Sequence, residues 1–341
     1  MMMKPDFRVP SYYTLGYWCC EPERLYNFLQ LLISQPRSFL YKWVGWFDSS
    51  PVRDFVMYRL FPMKVKENIA LHYNTSPEFM KHILGEKLEY TCAFFEQDSD
   101  DLEAAQNRKI EKVSSRLALK PSDRVLDLGC GWGQIAEAVS SSVGCHVTGV
   151  NISDRQVEYA LNRKSEKTEF VRSDFSDFSP NTKFDRIYSI GMLEHVGRGY
   201  LAEYFSQVFN LLTDDGRALI HCIVRKRTGA TNSWIDQVIF PGAYIPELAE
   251  IIRVVENSPL KLRQVFTHEK SNYRKTLIAW EENFYRNYGF LSTHLDAALS
   301  EQEKDFIMRI WEFYLCSSRL VFDKSYGYCY NVQILLEISD N

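Results

Sequence analysis

The sequence predicts an α/β fold built on an open parallel sheet with helices on both faces, and three observations carry that prediction. From Arg124 onward, short β-branched runs alternate with helical segments. The first of these runs ends in a glycine-rich turn that opens a helix. Before residue 105 the pattern is absent and the chain reads as mostly helical and rich in aromatics. With 341 residues and 45% hydrophobic content, the chain is long enough for one sizeable core and a modest appended segment. The expected division is a helical N-terminal segment over 1–104 that closes on the site, and a sheet domain over 105–341.

Runs at 124–129, 145–151, 169–174, 184–190 and 217–224 read as strands one to five, with helices at 134–142, 154–164 and 200–212 between them. Thr213-Asp214-Asp215-Gly216 has the chemistry of a turn after the last of these helices. A long excursion through Pro241-Gly242 and Asn257-Ser258-Pro259 follows, then a sixth strand at 261–267. Helices at 273–288 and 301–320 precede a late strand at 327–338, which makes seven strands in all.

Charge is near balance, 40 Lys and Arg against 44 Asp and Glu, so nothing in the total favours a nucleic-acid partner. The N-terminus MMMKPDFRVP lacks an apolar signal region and no run reaches the roughly 20 apolar residues of a spanning helix, which predicts a cytoplasmic chain. The eight cysteines are scattered, the pattern of reduced thiols, and Cys19-Cys20 has no partner at zinc-site spacing.

The strongest motif is VLDLGCGWG, residues 125–133. A buried strand ends in Asp127 and runs into Gly129, Gly131 and Gly133, where the backbone turns sharply and approaches a ligand beside free N–H groups. Such a turn also grips dinucleotides. Three details favour S-adenosylmethionine instead: the spacing is not GxGxxG; Asp174, beside Phe175 at the end of strand three, is placed to accept from an adenine amino group; and strand four ends in Gly191-Met192-Leu193-Glu194-His195, a polar pair at the carboxyl edge. The ribose-binding carboxylate expected after strand two is replaced by Asn151, with Ser153 and Gln156 offering neutral hydrogen bonds.

These residues, with that substitution, resemble the cyclopropane-fatty-acyl-phospholipid synthases and the mycolic-acid methyltransferases, from about residue 72 to the C-terminus. His72-Tyr73-Asn74 and Tyr90-Thr91-Cys92-Ala93-Phe94-Phe95 are similar to two of the family's entry segments. Leu219-Ile220-His221-Cys222-Ile223, Ile239-Phe240-Pro241 and Tyr273-Arg274-Lys275-Thr276-Leu277 with Trp280 are similar to later ones. The resemblance implies a Rossmann-like class I methyltransferase sheet, and a bicarbonate ion held by Cys92, Glu194, His221, the backbone of Ile223 and Tyr273. It also brings Tyr90 and Thr91 to the cofactor. Taken singly, each residue has a packing explanation; their ordered occurrence beside a cofactor turn favours function.

The implied reaction adds a methylene to a carbon–carbon double bond of an unsaturated phospholipid acyl chain. An alkene is a poor nucleophile, so alignment in a dry pocket and a base at the new methyl are both required. Methylation of another lipid or isoprenoid without ring closure remains open. N-methylation of a small amine is a third reading, against which the complete cage argues, since an amine needs no caged base. A silent scaffold would show broken glycines or a broken cage.

Residues 13–28 resemble the YxxGxWxC stretch of the long bacterial synthases, whose fold upstream of it is mostly absent here, so a family-type homodimer stays open. Residues 37–66 combine Phe39, Leu40, Trp43, Trp46, Phe47, Phe55, Tyr58 and Phe61 with six basic residues against Asp48 and Asp54, a composition suited to transient contact with a membrane. The alternative is that those aromatics pack into the lid. Arg225-Lys226-Arg227 offers a site for phosphate headgroups.

Overall fold

The computed structural model describes residues 5–34, 76–226, 232–325 and 327–339. The basic and aromatic stretch at 37–66, the His72-Tyr73-Asn74 motif and Arg227 lie outside the described residues.

Seven strands form one sheet: β1 (Arg124–Leu128), β2 (His146–Asn151), β3 (Thr168–Arg172), β4 (Phe184–Ile190), β5 (Leu212–Arg225), β6 (Leu260–Thr267) and β7 (Cys329–Ile338), in spatial order 3-2-1-4-5-7-6. The first five pair in parallel, and β7 runs antiparallel between β5 and β6. The order reverses between β1 and β4, the switch point where open sheets of this kind open a crevice beyond their carboxyl ends. The central strands are buried on both faces, which explains near-continuous apolar runs such as Val125–Leu128.

Turn chemistry at Thr213–Gly216 does not end the connection as the sequence suggests. Leu212 already pairs with Phe184 while Arg217 pairs with Arg186, so residues 213–216 bulge out within β5. The helix at 134–142 becomes α5 (Gln134–Val143), and α6 (Asp154–Leu161) and α8 (Leu201–Leu211) follow their predicted spans closely. The excursion after β5 hides a helix, α9 (Leu248–Glu256), that the sequence reading leaves unassigned.

On the N-terminal side stand α1 (Pro5–Thr14), α2 (Pro22–Ser34), α3 (Pro77–Leu84) and α4 (Leu102–Leu117). Asp101 caps α4 by accepting from the Ala104 N–H at 2.8 Å. After β6 come α10 (Lys270–Arg286), α11 (Tyr288–Thr293) and α12 (Glu301–Val321), the last opened by a Ser300–Glu303 capping box. Tyr13, Leu25, Trp280, Phe284 and Trp311 are buried in one core that joins α1 and α2 to α10 and α12. Each aliphatic or phenyl side chain so buried contributes roughly 1.5–3 kcal/mol. The Glu312 carboxylate ties the layers by accepting from the hydroxyls of Tyr13 at 2.6 Å and Tyr285 at 2.8 Å. Among the described residues no helix is long and apolar enough to cross a membrane.

Candidate active site

Beyond the carboxyl ends of β1, β2, β4 and β5 lies a cavity of about 1390 Å³, and most of the residues singled out from the sequence line it. At one end the chain leaves β1 through Gly129 and Gly131, both at positive φ. A Cβ on Gly129 would lie 2.9 Å from that of Met192, whereas one on Gly131 would meet nothing within 4 Å, so the backbone there faces open space. Asn151 fixes this turn: its Nδ2 donates to the Gly131 carbonyl at 3.1 Å and to Gln156 Oε1 at 2.7 Å. Asp174 and Phe175 close the same end, and Asp174 Oδ1 accepts from the backbone and hydroxyl of Ser176.

Three predicted cofactor residues take other places. Asp127 is buried and does not line the cavity; burial pushes its carboxyl up to about 7 beside the Tyr188 hydroxyl. Gly133 lets α5 pack closely, since a Cβ there would lie 2.8 Å from Ala160 and Phe170. Ser153 caps α6 through the Gln156 N–H at 3.4 Å.

The other end gathers Cys92, Glu194, His221, Ile223 and Tyr273 on the cavity wall. They come from four separate pieces of chain. Cys92 sits in the loop before α4, Glu194 in the short helix α7 (Leu193–Val196) after β4, and His221 and Ile223 two residues apart on β5. Tyr273 lies in the first turn of α10. Glu194 Oε1 accepts from the Ile223 N–H at 2.6 Å, while Oε2 and both ring nitrogens of His221 have no hydrogen-bond partner. Burial pushes Glu194 up to about 7, against the pull of the Ile223 N–H, so the carboxyl titrates near neutrality. Burial first, then the charges of His268, Lys109 and Arg116, hold His221 well below the usual imidazole range, so it is neutral. Burial likewise keeps the Tyr273 phenol protonated and pushes the Cys92 thiol up to about 12. A thiol of that kind is a wall, not a nucleophile.

Tyr90 stacks in an aromatic group with Trp280, Phe240, Trp311 and Tyr314, and Phe240 also meets His195 edge-on at 5.3 Å. Between the two ends runs a feature the sequence reading missed. Lys109 is fully buried and donates to Thr91 Oγ1 and Gln106 Oε1, each at 2.7 Å, with Glu89 at 2.5 Å. Gln106 in turn donates to the carbonyls of Glu89 and Thr91. The network clamps segment 89–92, which carries both cofactor and cage candidates. Its signal was in the sequence: Lys109 falls on the apolar stripe of α4 that also holds Ala105, Ile110, Val113 and Leu117.

A family model described as mycolic acid cyclopropane synthetase matches residues 62–332. The chain belongs to that family. Among its curated relatives is the cyclopropane-fatty-acyl-phospholipid synthase of Escherichia coli K12, 34% identical over 232 residues, which covers 66% of this chain and 59% of the relative. The chain thus spans about three fifths of that enzyme's length. A solved structure of the mycolic acid cyclopropane synthase CmaA1, complexed with S-adenosylhomocysteine and CTAB, superposes with a TM-score of 0.70 at 25% identity, over 79% of this chain and 97% of the other. Coclaurine N-methyltransferase, at 18% identity and a TM-score of 0.77, covers 97% of this chain and 99% of its own. At that identity the likeness is one of fold alone. The seven-stranded sheet with its helical N-terminal part is that of the class I S-adenosylmethionine-dependent methyltransferases.

Proposed function

We propose that the chain transfers the methyl carbon of S-adenosylmethionine to a carbon–carbon double bond of an unsaturated phospholipid acyl chain and closes a cyclopropane ring, with bicarbonate as the base. The observation that carries this reading is the meeting of Cys92, Glu194, His221, Ile223 and Tyr273 on one wall of the cavity that begins at the glycine turn.

The residues fit both groups. The open backbone at Gly131, the Asp174 carboxylate and the Thr91 segment form a cradle for the donor, which supplies an electrophilic methyl carbon when bound. Glu194 Oε2 and the two His221 nitrogens are buried polar atoms without partners, a cost of roughly 1–3 kcal/mol each that a small oxyanion would relieve. Neutral His221 and the protonated Tyr273 phenol supply hydrogen-bond donors, and Glu194 accepts from the ligand or gives a proton according to its own state. Glu194, His221 and Tyr273 would hold such a base beside the transferred methyl, where it would supply an acceptor for the departing proton while the C–H electron pair became the second ring bond. Alkene and sulfonium become cyclopropane, thioether and one proton. The aromatic group around Tyr90 and Phe240 gives the cavity an apolar wall that would keep water from the reacting atoms.

Val9, Pro10, Leu29 and Leu32 also line the cavity, which supports reading the N-terminal segment as its lid. The same reading places the protein in the cytoplasm in transient contact with a membrane surface, and leaves monomer and homodimer to be separated by sedimentation. Incubation of the purified chain with S-adenosylmethionine and dioleoyl phospholipid, followed by mass spectrometry, tests the reaction. The expected product is heavier by one methylene and fragments as a ring; a branched product transfers the assignment to methylation without closure, and no product with cofactor bound removes it. Depleting bicarbonate should slow turnover while leaving S-adenosylhomocysteine binding unchanged.

A further inference from the structure

Where β5 leaves the sheet, Arg225 on the cavity wall is followed by Lys226, and Lys270 comes beside them through the 327–328 backbone. Arg225 and Tyr328 are part of the cavity wall, and the Arg225 guanidinium lies 5.2 Å from the centre of the Tyr328 ring, which is itself 43% exposed. Lys226, which is exposed, donates its N–H to the Tyr328 carbonyl at 3.0 Å. Lys270, half-buried at the start of α10, reaches the next carbonyl back, that of Gly327, at 2.5 Å. Adjacent backbone contacts thus bring the two lysines to one spot.

Among the described residues neither lysine forms an ion pair. The neighbouring carboxylates have other work: Asp323 accepts from the Tyr26 hydroxyl at 2.9 Å and faces Arg274 at 3.8 Å, and Glu269 accepts from Ser271 at 3.0 Å. Glu247 lies on the strand side, its backbone bridged to that of Arg225. Burial and then the charge of Lys226 hold Lys270 below its usual basicity. Like charges held together by the backbone at a cavity mouth are the arrangement an anion would relieve.

We propose that Arg225, Lys226 and Lys270 form a phosphate site at the cavity mouth that holds the headgroup phosphate of a phospholipid whose acyl chain enters the cavity. The inference rests on the lipid reading above and adds selection for a phosphate-bearing lipid over a neutral glyceride or a free fatty acid. Charge-assisted bonds from two ammonium groups to phosphate oxygens are strong enough for discrimination of roughly tenfold or more.

The test compares the wild type with the double variant Lys226→Gln, Lys270→Gln in neutral detergent micelles, which carry no surface charge. The substrates are dioleoylphosphatidylcholine and dioleoylglycerol, which share their acyl chains. In the variant the ratio of kcat/KM for phospholipid to that for glyceride should fall about tenfold, and Lys226→Arg, Lys270→Arg should restore it. An unchanged ratio overturns the proposal. So does a loss seen only in vesicles that contain phosphatidylglycerol, which would mean attraction to a charged surface and no headgroup site. Calorimetric titration with glycerol phosphate decides the site without turnover: heat in the wild type that vanishes in the variant supports it, and equal heats sink it. If the wild type converts neither lipid, the reaction assignment fails while this titration still judges the phosphate site.

Discussion

The two ends of the cavity hold their polar groups differently. At the glycine turn the half-buried side chains are partnered, with Asn151 spending its amide on Gly131 and Gln156 and Asp174 held by Ser176, although the buried Trp132 Nε1 has no hydrogen-bond partner. At the cage only the Ile223 N–H meets Glu194, and Oε2 and the His221 ring are left without partners. The first arrangement fixes a shape in advance of its ligand. The second keeps polar atoms unsatisfied at a cost in stability, which is tolerable where a bound group completes them. On the reaction proposed above, the difference would separate the end that binds from the end that reacts.

The strongest way to break that contrast is Glu194→Gln. The amide still accepts from Ile223 N–H and fills the same volume, so only ionisation is lost. Turnover should fall by roughly 10²–10⁴-fold, the range expected for a positioned acid–base group, with S-adenosylhomocysteine affinity unchanged. A matching loss of cofactor binding would mean that the two ends are not separate. Next in size is Lys109→Met, which leaves Glu89 as an uncompensated buried carboxylate between the ends. About 3–5 kcal/mol of stability should disappear, read as a lower midpoint in urea, and a double variant with Glu89→Leu should recover much of it.

How far the sequence could be read follows from the same contrast. The glycine turn and the first five strands lie where local chemistry and position agree, as in the positive φ at Gly129, whereas the cage residues were implied by the family resemblance alone. The misses are non-local. Asp127 was expected at the ligand but is buried behind the turn, beside the Tyr188 hydroxyl of β4. The bulge at 213–216 has turn composition and strand geometry, since β4 supplies the pairing on both sides of it. Lys109 stands on the apolar stripe of α4, and its partner Glu89, 20 residues earlier, explains why the stripe admits it.

A third test uses pH. Glu194 is raised from 4.5 to about 7 by burial, so the folded protein binds its proton more tightly than the unfolded chain does. Its contribution to stability is fully present below pH 4.5 and is lost as pH rises through about 7. His195 runs the other way: burial lowers it from 6.5 to about 4, so its contribution holds above pH 6.5 and fades as pH falls towards 4. The comparison of wild type with Glu194→Gln isolates the first. The difference in unfolding free energy between them should change by a few kcal/mol between pH 4.5 and 7, and bicarbonate should flatten it if that ion completes the cage. Parallel curves for the two proteins would show that Glu194 is ionised throughout and the cage is not held under polar tension.

The smallest effect belongs to the satisfied end. Asn151→Ala removes the bonds to Gly131 and Gln156 and frees the turn, yet leaves the cage untouched. Loss of one or two neutral hydrogen bonds at roughly 0.5–1.5 kcal/mol each predicts a weakening of S-adenosylhomocysteine binding of about tenfold. At saturating donor, kcat should hold, because preorganisation of the turn is overcome by concentration while the cage does its chemistry unchanged. Asn151→Asp sharpens the point, since a carboxylate cannot donate to the Gly131 carbonyl. If Asp binds the cofactor as well as Asn does, the side chain serves the ribose directly, and the turn owes its shape to the glycines alone.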